Sequence, residues 1–304
     1  MAINTPILFV IFNRPDRVSR VWAEIKKAQP KRLFIAADGA RANKPGEKEL
    51  CQEARDIVSD IDWDCEVSRD FSDTNLGCSE RVYSAINWIF RESETAIIIE
   101  DDCLPSQSFF TFCDEMLEKY RDYPQIMQVA GFNFINEWKK DAQDYHFSNY
   151  GGVWGWASWR RAWTLYDPEM KGWQDKKIKN QTKKTLGNYK QSWARNSLFK
   201  VGHTTNAWEY KWAFTRSLHK GLVIVPAVSL ISNIGFGSEA THTKEKTSPL
   251  EKIERHELIF PLRPNDKIKA DFEYDKRLFE VMHPEFRHSW PIIFLIKIWN
   301  KLTQ

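Results

Sequence analysis

The first 130 residues alternate short apolar runs with longer segments whose apolar residues recur at helical spacing. The runs predict strands at 7–12, 33–37, 65–68, 96–99 and 126–130, and the segments between them predict helices at 16–28, 47–59, 79–91 and 107–120. Strands that alternate with helices in this way are typical of an α/β fold with a parallel sheet. We therefore expect a Rossmann-like fold whose mostly parallel central sheet is flanked by helices.

The fourth predicted strand has the most informative end. Residues 96–99 read Ala-Ile-Ile-Ile and lead directly into Glu100, Asp101 and Asp102. Three adjacent acids are unstable in an apolar core without partners, so the chain must reach the surface there. Ligands bind at such strand ends in open α/β sheets, and clustered carboxylates suit Mg²⁺ or Mn²⁺. The alternative is a solvated acidic turn that caps the following helix, for which Ser106 is also a candidate N-cap.

Polar residues also follow the first two predicted strands. Asn13 and Arg14 follow the first, and Asp38 follows the second. An arginine there can bind a pyrophosphate, and an aspartate can accept a hydrogen bond from a uracil imide or a ribose hydroxyl. Each has a local alternative, because Asn-Arg-Pro can simply end a strand and Asp-Gly is a common turn. Three such ends in one sheet together predict a nucleotide site.

Composition narrows the class of protein. The chain has 304 residues, a net charge of +3 and a pI near 8.4, and its basic residues are dispersed, so we expect no nucleic-acid binding. Its five cysteines lack CxxC spacing, which indicates neither a zinc site nor a disulfide framework. The first apolar run has no basic segment before it and reads as a strand, not as a signal peptide. We expect a cytoplasmic protein.

The second half is rich in tryptophan, with nine of the fourteen between Trp138 and Trp212. Within it, Trp154, Gly155 and Trp156 alternate small and aromatic residues. This pattern lets backbone approach a ligand while indole faces form a wall against which a sugar ring can stack. Together with Trp208, these residues are our candidates for substrate binding. The alternative is a tryptophan-rich core beneath a loop.

Two further residues are candidates for chemistry. Glu209 lies between large apolar groups in the segment AWEYKW, and such an acid can take a proton from an acceptor hydroxyl. The alternative is a surface glutamate paired with Lys211 or Arg216. His242 ends a glycine-rich segment that begins at Asn233, where a neutral imidazole could complete a metal shell or contact a diphosphate.

Several segments resemble the bacterial glycosyltransferases related to the GlcNAc-transferase I family. The resemblance covers about residues 6 to 243 and is carried, in order, by PILFVIFNRPDR, AADGAR, NLGCSERVYSAINW, AIIIEDDCLPSQSFF, GGVWGWASWRRAW, AWEYKW and NIGFGSEATHT. It implies the GT-A fold, a nucleotide-sugar donor and a divalent metal.

The resemblance also implies roles for individual residues. Asp102 would ligate the metal, and Glu100 and Asp101 would support it or touch the ribose. The nucleotide-contacting positions correspond to Asn13, Arg14, Asp38 and Arg81. Glu209 would be the base, although the family pattern has two adjacent acids and Tyr210 replaces the second here.

We base the predicted domain boundaries on a shift in amino-acid composition near residue 135. We expect a nucleotide-sugar-binding half at 1–135, an acceptor-binding half at 136–260 that completes the active site, and a C-terminal tail at 261–304. The end of that tail reads WPIIFLIKIWNKL, which is too short to span a bilayer but could lie in its interface. In that case the protein would sit at the inner face of the membrane. A helix docked on the body is the alternative.

Taken together, the sequence predicts a metal-dependent, inverting glycosyltransferase of surface-polysaccharide or glycan synthesis. Its donor would be a nucleotide sugar, UDP-linked, and its acceptor a saccharide or glycolipid. Two rival readings remain. A sugar-1-phosphate nucleotidyltransferase would need a glycine-rich phosphate loop after the first strand, which Asn13, Arg14 and Pro15 do not provide. A noncatalytic saccharide-binding protein would have no use for the acidic strand end.

Overall fold

The computed structural model describes residues 3–185, 189–236, 249–265 and 267–283, without the side chains of 183–185, 189–194 and 249. The strands are β1 (Ile7–Ile11), β2 (Arg32–Ala37), β3 (Glu66–Phe71), β4 (Thr95–Glu100), β5 (Cys103–Pro105), β6 (Ile126–Ala130), β7 (Tyr145–Ser148), β8 (Trp156–Trp159), β9 (Leu222–Pro226) and β10 (Ile231–Asn233). The helices are α1 (Pro15–Ala28), α2 (Glu47–Ile57), α3 (Cys78–Glu92), α4 (Gln107–Lys119), α5 (Arg160–Trp163), α6 (Lys176–Thr185), α7 (Tyr189–Thr204), α8 (Trp208–Leu218) and α9 (Phe272–Met282), with a 3₁₀ helix at Pro249–Lys252.

Eight strands form one central sheet in the order β3-β2-β1-β4-β8-β6-β9-β7. The strands β3, β2, β1 and β4 are mutually parallel, and β6 is parallel to β9. Strand β8 runs antiparallel between β4 and β6, and β7 is the antiparallel edge. The predicted α/β fold with a mostly parallel sheet flanked by helices is confirmed. Because β1, β2 and β4 are parallel, their carboxyl ends lie at the same edge.

The sheet separates two apolar layers because alternate residues of a strand point to opposite faces. On β1, Phe9 packs with one cluster, together with Trp22 of α1, whereas Leu8 packs with the other, together with Ile86 of α3. All five residues of β1 are buried. Burial on both faces explains why these strands read as continuous apolar runs rather than as alternating patterns.

Two local predictions differ from the structure. Strand β3 extends to Phe71, beyond the predicted end at residue 68, because it is a partly exposed edge strand whose polar residues hide its length. Ser106 occupies the N-cap of α4, but its side chain makes no capping hydrogen bond. Instead, the Glu257 carboxylate accepts from the backbone N–H groups of Gln107 (3.0 Å) and Ser108 (2.7 Å). An acid distant in sequence therefore replaces the local cap.

The second half of the chain completes the sheet of the first. Strand β8, from the tryptophan-rich segment, pairs with β4 from Thr95 to Ile98. Helix α9 lies against β7, and its Tyr274 and Leu278 are buried. Within the described ranges, no helix is long and apolar enough to cross a membrane. The segment 290–302, for which we predicted interfacial binding, lies outside the described residues, and the domain boundaries stay a prediction.

Candidate active site

Arg14 and the acidic end of β4 meet at the carboxyl edge of the sheet. The Arg14 guanidinium donates to Oδ1 of Asp101 and, over 3.1 Å, to Oδ2 of Asp102. Burial opposes the Arg14 charge, but these two carboxylates outweigh it and raise the pKa of Arg14 above its ordinary value. Asp101 is 2% exposed and also accepts from the backbone N–H of Phe12. The ends of β1 and β4, separate in sequence, are thus tied together as one site.

The three acids have different surroundings. Burial raises the pKa of Asp101 to about 6, against the opposing effect of Arg14. Burial, with smaller contributions from the charges of Asp102 and Asp101, raises the pKa of Glu100 to about 8. The Asp102 side chain remains 20% exposed. Asp101 is therefore buried in its ion pair with Arg14, whereas the Asp102 side chain is partly exposed to solvent.

The backbone of the second half closes over Asp102. Strand β10 pairs with β5 directly after the acidic residues, and the N–H of Ile234 donates to the carbonyl of Asp102 over 2.8 Å. Gly235 then lies against the Asp102 carboxylate, so that a Cβ atom at this position would overlap it. The N–H of Gly235 is held by Oδ1 of Asn233 (2.7 Å). The start of the predicted glycine-rich segment, from Asn233 to Gly235, is therefore beside Asp102, whereas its continuation to His242 lies outside the described residues.

A cleft of about 810 Å³ lies at this sheet edge, and we call it the strand-end cleft. It is lined by the predicted nucleotide residues Asn13, Arg14, Asp38, Arg81, Glu100 and Asp101. Asn13 is held by a 2.9 Å hydrogen bond to Glu47, and Arg81 by a 2.6 Å ion pair with Asp70.

Three cationic residues that the sequence analysis did not select, Arg17, Arg41 and Lys44, also line the strand-end cleft. Arg17 follows Arg14 by three residues, which is one helical turn, and this spacing was the signal that could have identified it. Arg41 is already paired with the Glu47 carboxylate through Nε (3.0 Å). Arg17 and Lys44 are therefore the members of this set that can face an anionic ligand.

Asp38 shapes the strand-end cleft by holding a loop. Its buried carboxylate accepts from the N–H groups of Leu76 (2.8 Å) and Gly77 (3.0 Å) and from the side-chain amide of Asn75 (3.0 Å). This loop leads into the N-terminus of α3, whose unpaired N–H groups and dipole favour an anion. Asp38 thus lines the cleft as predicted, with its oxygens already bonded to the loop.

A second cavity, of about 490 Å³, adjoins the first, and we call it the tryptophan cavity. It is lined by Trp154, Trp208, Glu209 and Asp102, and it shares Arg14, Cys78 and Glu100 with the strand-end cleft. Desolvation, with smaller contributions from the charges of Glu100, Glu209 and Asp102, raises the pKa of the Cys78 thiol to about 12. The three carboxylates are therefore within electrostatic reach of one point at the junction of the two cavities.

The position of Glu209 is fixed by the aromatic core that packs beneath the start of α8. It lies in the first turn of α8, directly after Trp208, whose ring stacks on Trp156 at 6.0 Å and 25°. Trp212, one turn later, packs on Trp156 and donates from Nε1 to Gln128 over 2.9 Å. These contacts fix the start of α8, and with it Glu209, at the wall of the tryptophan cavity.

The structure corrects two of the substrate-binding candidates. Trp156 is fully buried on β8 and packs in the core, so it does not line the tryptophan cavity. Gly155 does not line the tryptophan cavity either; its φ of 57° and the contact that a Cβ atom would make with Ile231 explain why glycine stands there. Alternation along a strand places Trp156 on the core side, and the tryptophan-rich-core alternative is correct for this residue. Trp154 and Trp208 do line the cavity.

The donor set at Asp102 fits one kind of metal site. Among the described residues, no group of three or more His, Cys, Asp or Glu side chains is placed to hold a metal ion. A closed cage of protein ligands is therefore not formed by this part of the chain. One accessible carboxylate does fit Mg²⁺ or Mn²⁺, since Mg²⁺ is commonly held by one or two carboxylates, with substrate phosphates and waters completing its shell.

No protein-family model matches the chain, and no curated protein matches it. Solved structures do resemble it. One is the mannosyltransferase PcManGT from Pyrobaculum calidifontis in complex with GDP-Man and Mn²⁺, with 11% identity, a TM-score of 0.36 and coverage of 71% of this chain and 74% of that one. An apo UDP-glucose pyrophosphorylase has 11% identity, a TM-score of 0.37 and coverage of 76% and 93%. Likenesses this distant assign no activity to the chain.

Proposed function

We propose that the protein is a metal-dependent, inverting glycosyltransferase that moves a sugar from a nucleotide donor, UDP-linked, to a saccharide hydroxyl. The observation that carries the proposal is the junction of the two cavities, where Arg14, Cys78 and Glu100 line both. A transferase must hold donor and acceptor on the two sides of one reacting bond, and adjoining cavities with a shared wall provide this arrangement.

The strand-end cleft has features that suit the diphosphate of a nucleotide-sugar donor. Arg17, Arg41 and Lys44 line it, and Nη1 of Arg17 is buried without a hydrogen-bond partner in the described part of the chain. A buried cationic donor without a partner is costly, and a phosphate oxygen would satisfy it. The loop held by Asp38 presents the N-terminus of α3 to the same ligand.

Asp102 would hold the metal, with the donor diphosphate and water as its other ligands. When bound, Mn²⁺ or Mg²⁺ offsets the negative charge that develops on the leaving diphosphate. Arg14 keeps Asp102 in position through its 3.1 Å hydrogen bond. Asp101, occupied by Arg14 and by the N–H of Phe12, acts as support for this arrangement.

The tryptophan cavity has features that suit the acceptor saccharide. Trp154 and Trp208 supply aromatic surface for a sugar ring, and Glu209 lies in the same wall. In the proposed reaction the Glu209 carboxylate takes the proton of the acceptor hydroxyl as its oxygen bonds to the donor carbon. The bond from that carbon to the diphosphate breaks on the opposite face, so the configuration inverts. From the resemblance of the sequence, we place the reaction in surface-polysaccharide or glycan synthesis.

The test is a screen of nucleotide sugars with and without Mn²⁺, read by thermal stabilisation and by release of the nucleoside diphosphate. We expect stabilisation that needs both the donor and the metal, and diphosphate release that increases with a saccharide acceptor. Release of pyrophosphate from a nucleoside triphosphate and a sugar 1-phosphate would instead identify a nucleotidyltransferase. Saccharide binding without any nucleotide binding would identify a noncatalytic protein.

A further inference from the structure

The wall of the tryptophan cavity contains a cation that the proposed reaction does not use. This is Arg195 of α7. Its guanidinium lies over the ring of Tyr150, 4.2 Å from the centroid. Burial lowers its pKa, and the nearby Tyr150, Asp275 and Tyr210 oppose this effect. Arg14, the other arginine of this cavity, already pairs with Asp101 and Asp102.

A second arginine increases the positive charge behind the same wall. Arg216 of α8 is 2% exposed, and its Nη2 donates to the carbonyl of Gly151 over 3.2 Å. Its Nε and Nη1 have no hydrogen-bond partner in the described part of the chain. Burial and, to a smaller extent, the Arg195 charge together lower the pKa of Arg216 to about 9. The two guanidinium groups are thus within electrostatic reach of one another.

Asp275 is an acid within electrostatic reach of Arg195, and other groups already engage it. It accepts from the Ser148 hydroxyl and from both the backbone N–H (3.3 Å) and the side-chain amide (2.8 Å) of Asn149. Burial raises its pKa to about 6, so its negative charge is held less readily than that of an exposed aspartate. The Asp275 oxygens are thus shared with Ser148 and Asn149, while the Arg195 guanidinium stays at the cavity wall, over the ring of Tyr150. An anionic ligand at this wall would pair with a partly desolvated guanidinium.

We propose that the tryptophan cavity binds an acceptor saccharide that carries an anionic group, a carboxylate or a phosphate, and that Arg195 binds this group. The inference rests on the proposed function and narrows its acceptor class. A planar guanidinium forms two parallel hydrogen bonds with either anion. The apolar side of the same cavity, formed by Phe134, Trp154, Leu278 and Phe279, offers surface to the sugar ring. One cavity therefore offers apolar surface to the sugar ring of the acceptor and a guanidinium to its anionic group.

The experiment compares glucose, glucuronate and glucose 6-phosphate as probes, in the presence of UDP and Mn²⁺, by calorimetry. Hydrogen bonds to a charged partner should make the wild-type protein bind at least one anionic probe roughly 10- to 100-fold more tightly than glucose. Arg195→Gln should remove this preference, and Arg195→Lys should retain part of it. The matched control is Lys200→Gln on the exposed side of the same helix, which should keep the full preference. The two anionic probes separate a carboxylate from a phosphate substituent.

The outcomes separate this inference from the proposed function. Equal affinity of the wild-type protein for all three probes overturns the anionic acceptor, and so does a preference that survives in Arg195→Gln. Either result leaves UDP binding in the strand-end cleft intact. Absence of UDP binding overturns the proposed function, whether or not the anionic probes bind. Thermal unfolding of each variant checks its fold, and the wild-type and Arg195→Lys comparison decides the question if Arg195→Gln does not fold.

Discussion

Gly235 packs so closely against Asp102 that a Cβ atom at position 235 would overlap Oδ2 of the carboxylate. The two residues are far apart in sequence and meet because β10 pairs with β5, next to the acidic end of β4. The glycine therefore leaves space for the side chain that we propose as the metal ligand. A larger residue at 235 must displace either the loop or the Asp102 carboxylate.

Gly235→Ala should therefore reduce metal-dependent donor binding without unfolding the protein. No positive φ is required at this position, so the effect comes from contact with Asp102 and not from backbone strain. We expect a donor Kd in Mn²⁺ weaker by about tenfold, which corresponds to roughly 1.4 kcal/mol. The control is the same substitution in an Asp102→Ala background, where it should add little because the two changes act on one interaction. Equal losses in both backgrounds would contradict this account.

Asp102→Ala should abolish transfer and remove the Mn²⁺ dependence of nucleotide binding. The side chain contributes an accessible carboxylate to the site, whereas its loss leaves the Arg14 pair with Asp101 in place. The fold should persist, since Asp102 lies at the end of the sheet and not in the apolar layers. Titration of UDP with and without Mn²⁺ measures the effect. Undiminished turnover by this variant would rule out Asp102 as the metal ligand.

The strands and helices of the first half could be predicted from sequence because both faces of the sheet are buried and each strand reads as an apolar run. The convergence of Arg14 with Asp101 followed from the rule that parallel strands end at one edge. Strand β8 could not be predicted, because its tryptophans suggested a ligand wall, whereas its pairing with β4 places Trp156 in the core. Arg195 had no local signal either. Its place in the cavity depends on tertiary packing alone.

Asp38→Ala should raise the donor KM with a smaller effect on kcat. The substitution leaves the N–H groups of Leu76 and Gly77 and the Asn75 amide without their acceptor, so the loop before α3 should shift. A loop that binds the donor equally in the ground and transition states changes KM more than kcat. Steady-state kinetics with varied donor check this. Asp73→Ala, an exposed acid in the same connection, is the control and should leave KM unchanged. A loss confined to kcat would argue for a role in the chemical step.

His146 should make the protein sensitive to acid. It is 1% exposed on β7, its ring lies 4.1 Å from that of Tyr274, and neither ring nitrogen has a partner in the described structure. Burial lowers its pKa from 6.5 to about 3, with smaller opposing effects from Asp271 and Lys139. A depressed pKa means that the unfolded chain binds the proton more tightly. The folded state is therefore not penalised by His146 above pH 6.5, and its free energy of unfolding decreases as the pH falls from 6.5 toward 3.

His146→Phe should remove this sensitivity because phenylalanine does not titrate. Between pH 7 and pH 5 the free energy of unfolding of the wild-type protein should fall by about 2 kcal/mol more than that of the variant. Urea unfolding at both pH values measures the difference. His219→Phe, a surface substitution after α8, provides the matched control. Parallel pH dependence of the wild-type protein and His146→Phe would show that His146 is not the source.

Glu209→Gln tests the base of the proposed reaction. Glutamine keeps the shape and hydrogen bonding of the side chain but cannot accept the hydroxyl proton, so kcat should fall by roughly 10²- to 10⁴-fold. Donor affinity should hardly change, because in the proposed reaction Glu209 contacts the acceptor hydroxyl and neither the metal nor the diphosphate. Asp102→Ala should instead lose donor binding and rate together. The two variants thus separate proton transfer from the binding of metal and diphosphate.

The stereochemistry of the product gives a second test of Glu209. A base that activates the acceptor on the face opposite the leaving diphosphate requires inversion at the anomeric carbon, which proton NMR of the first product formed can read. Glu80→Gln is the matched control, since Glu80 also lies in the first turn of a helix but does not line either cavity. It should turn over at the wild-type rate. Retention of configuration, or a wild-type kcat for Glu209→Gln, would exclude Glu209 as the base and leave the tryptophan cavity with a binding role only.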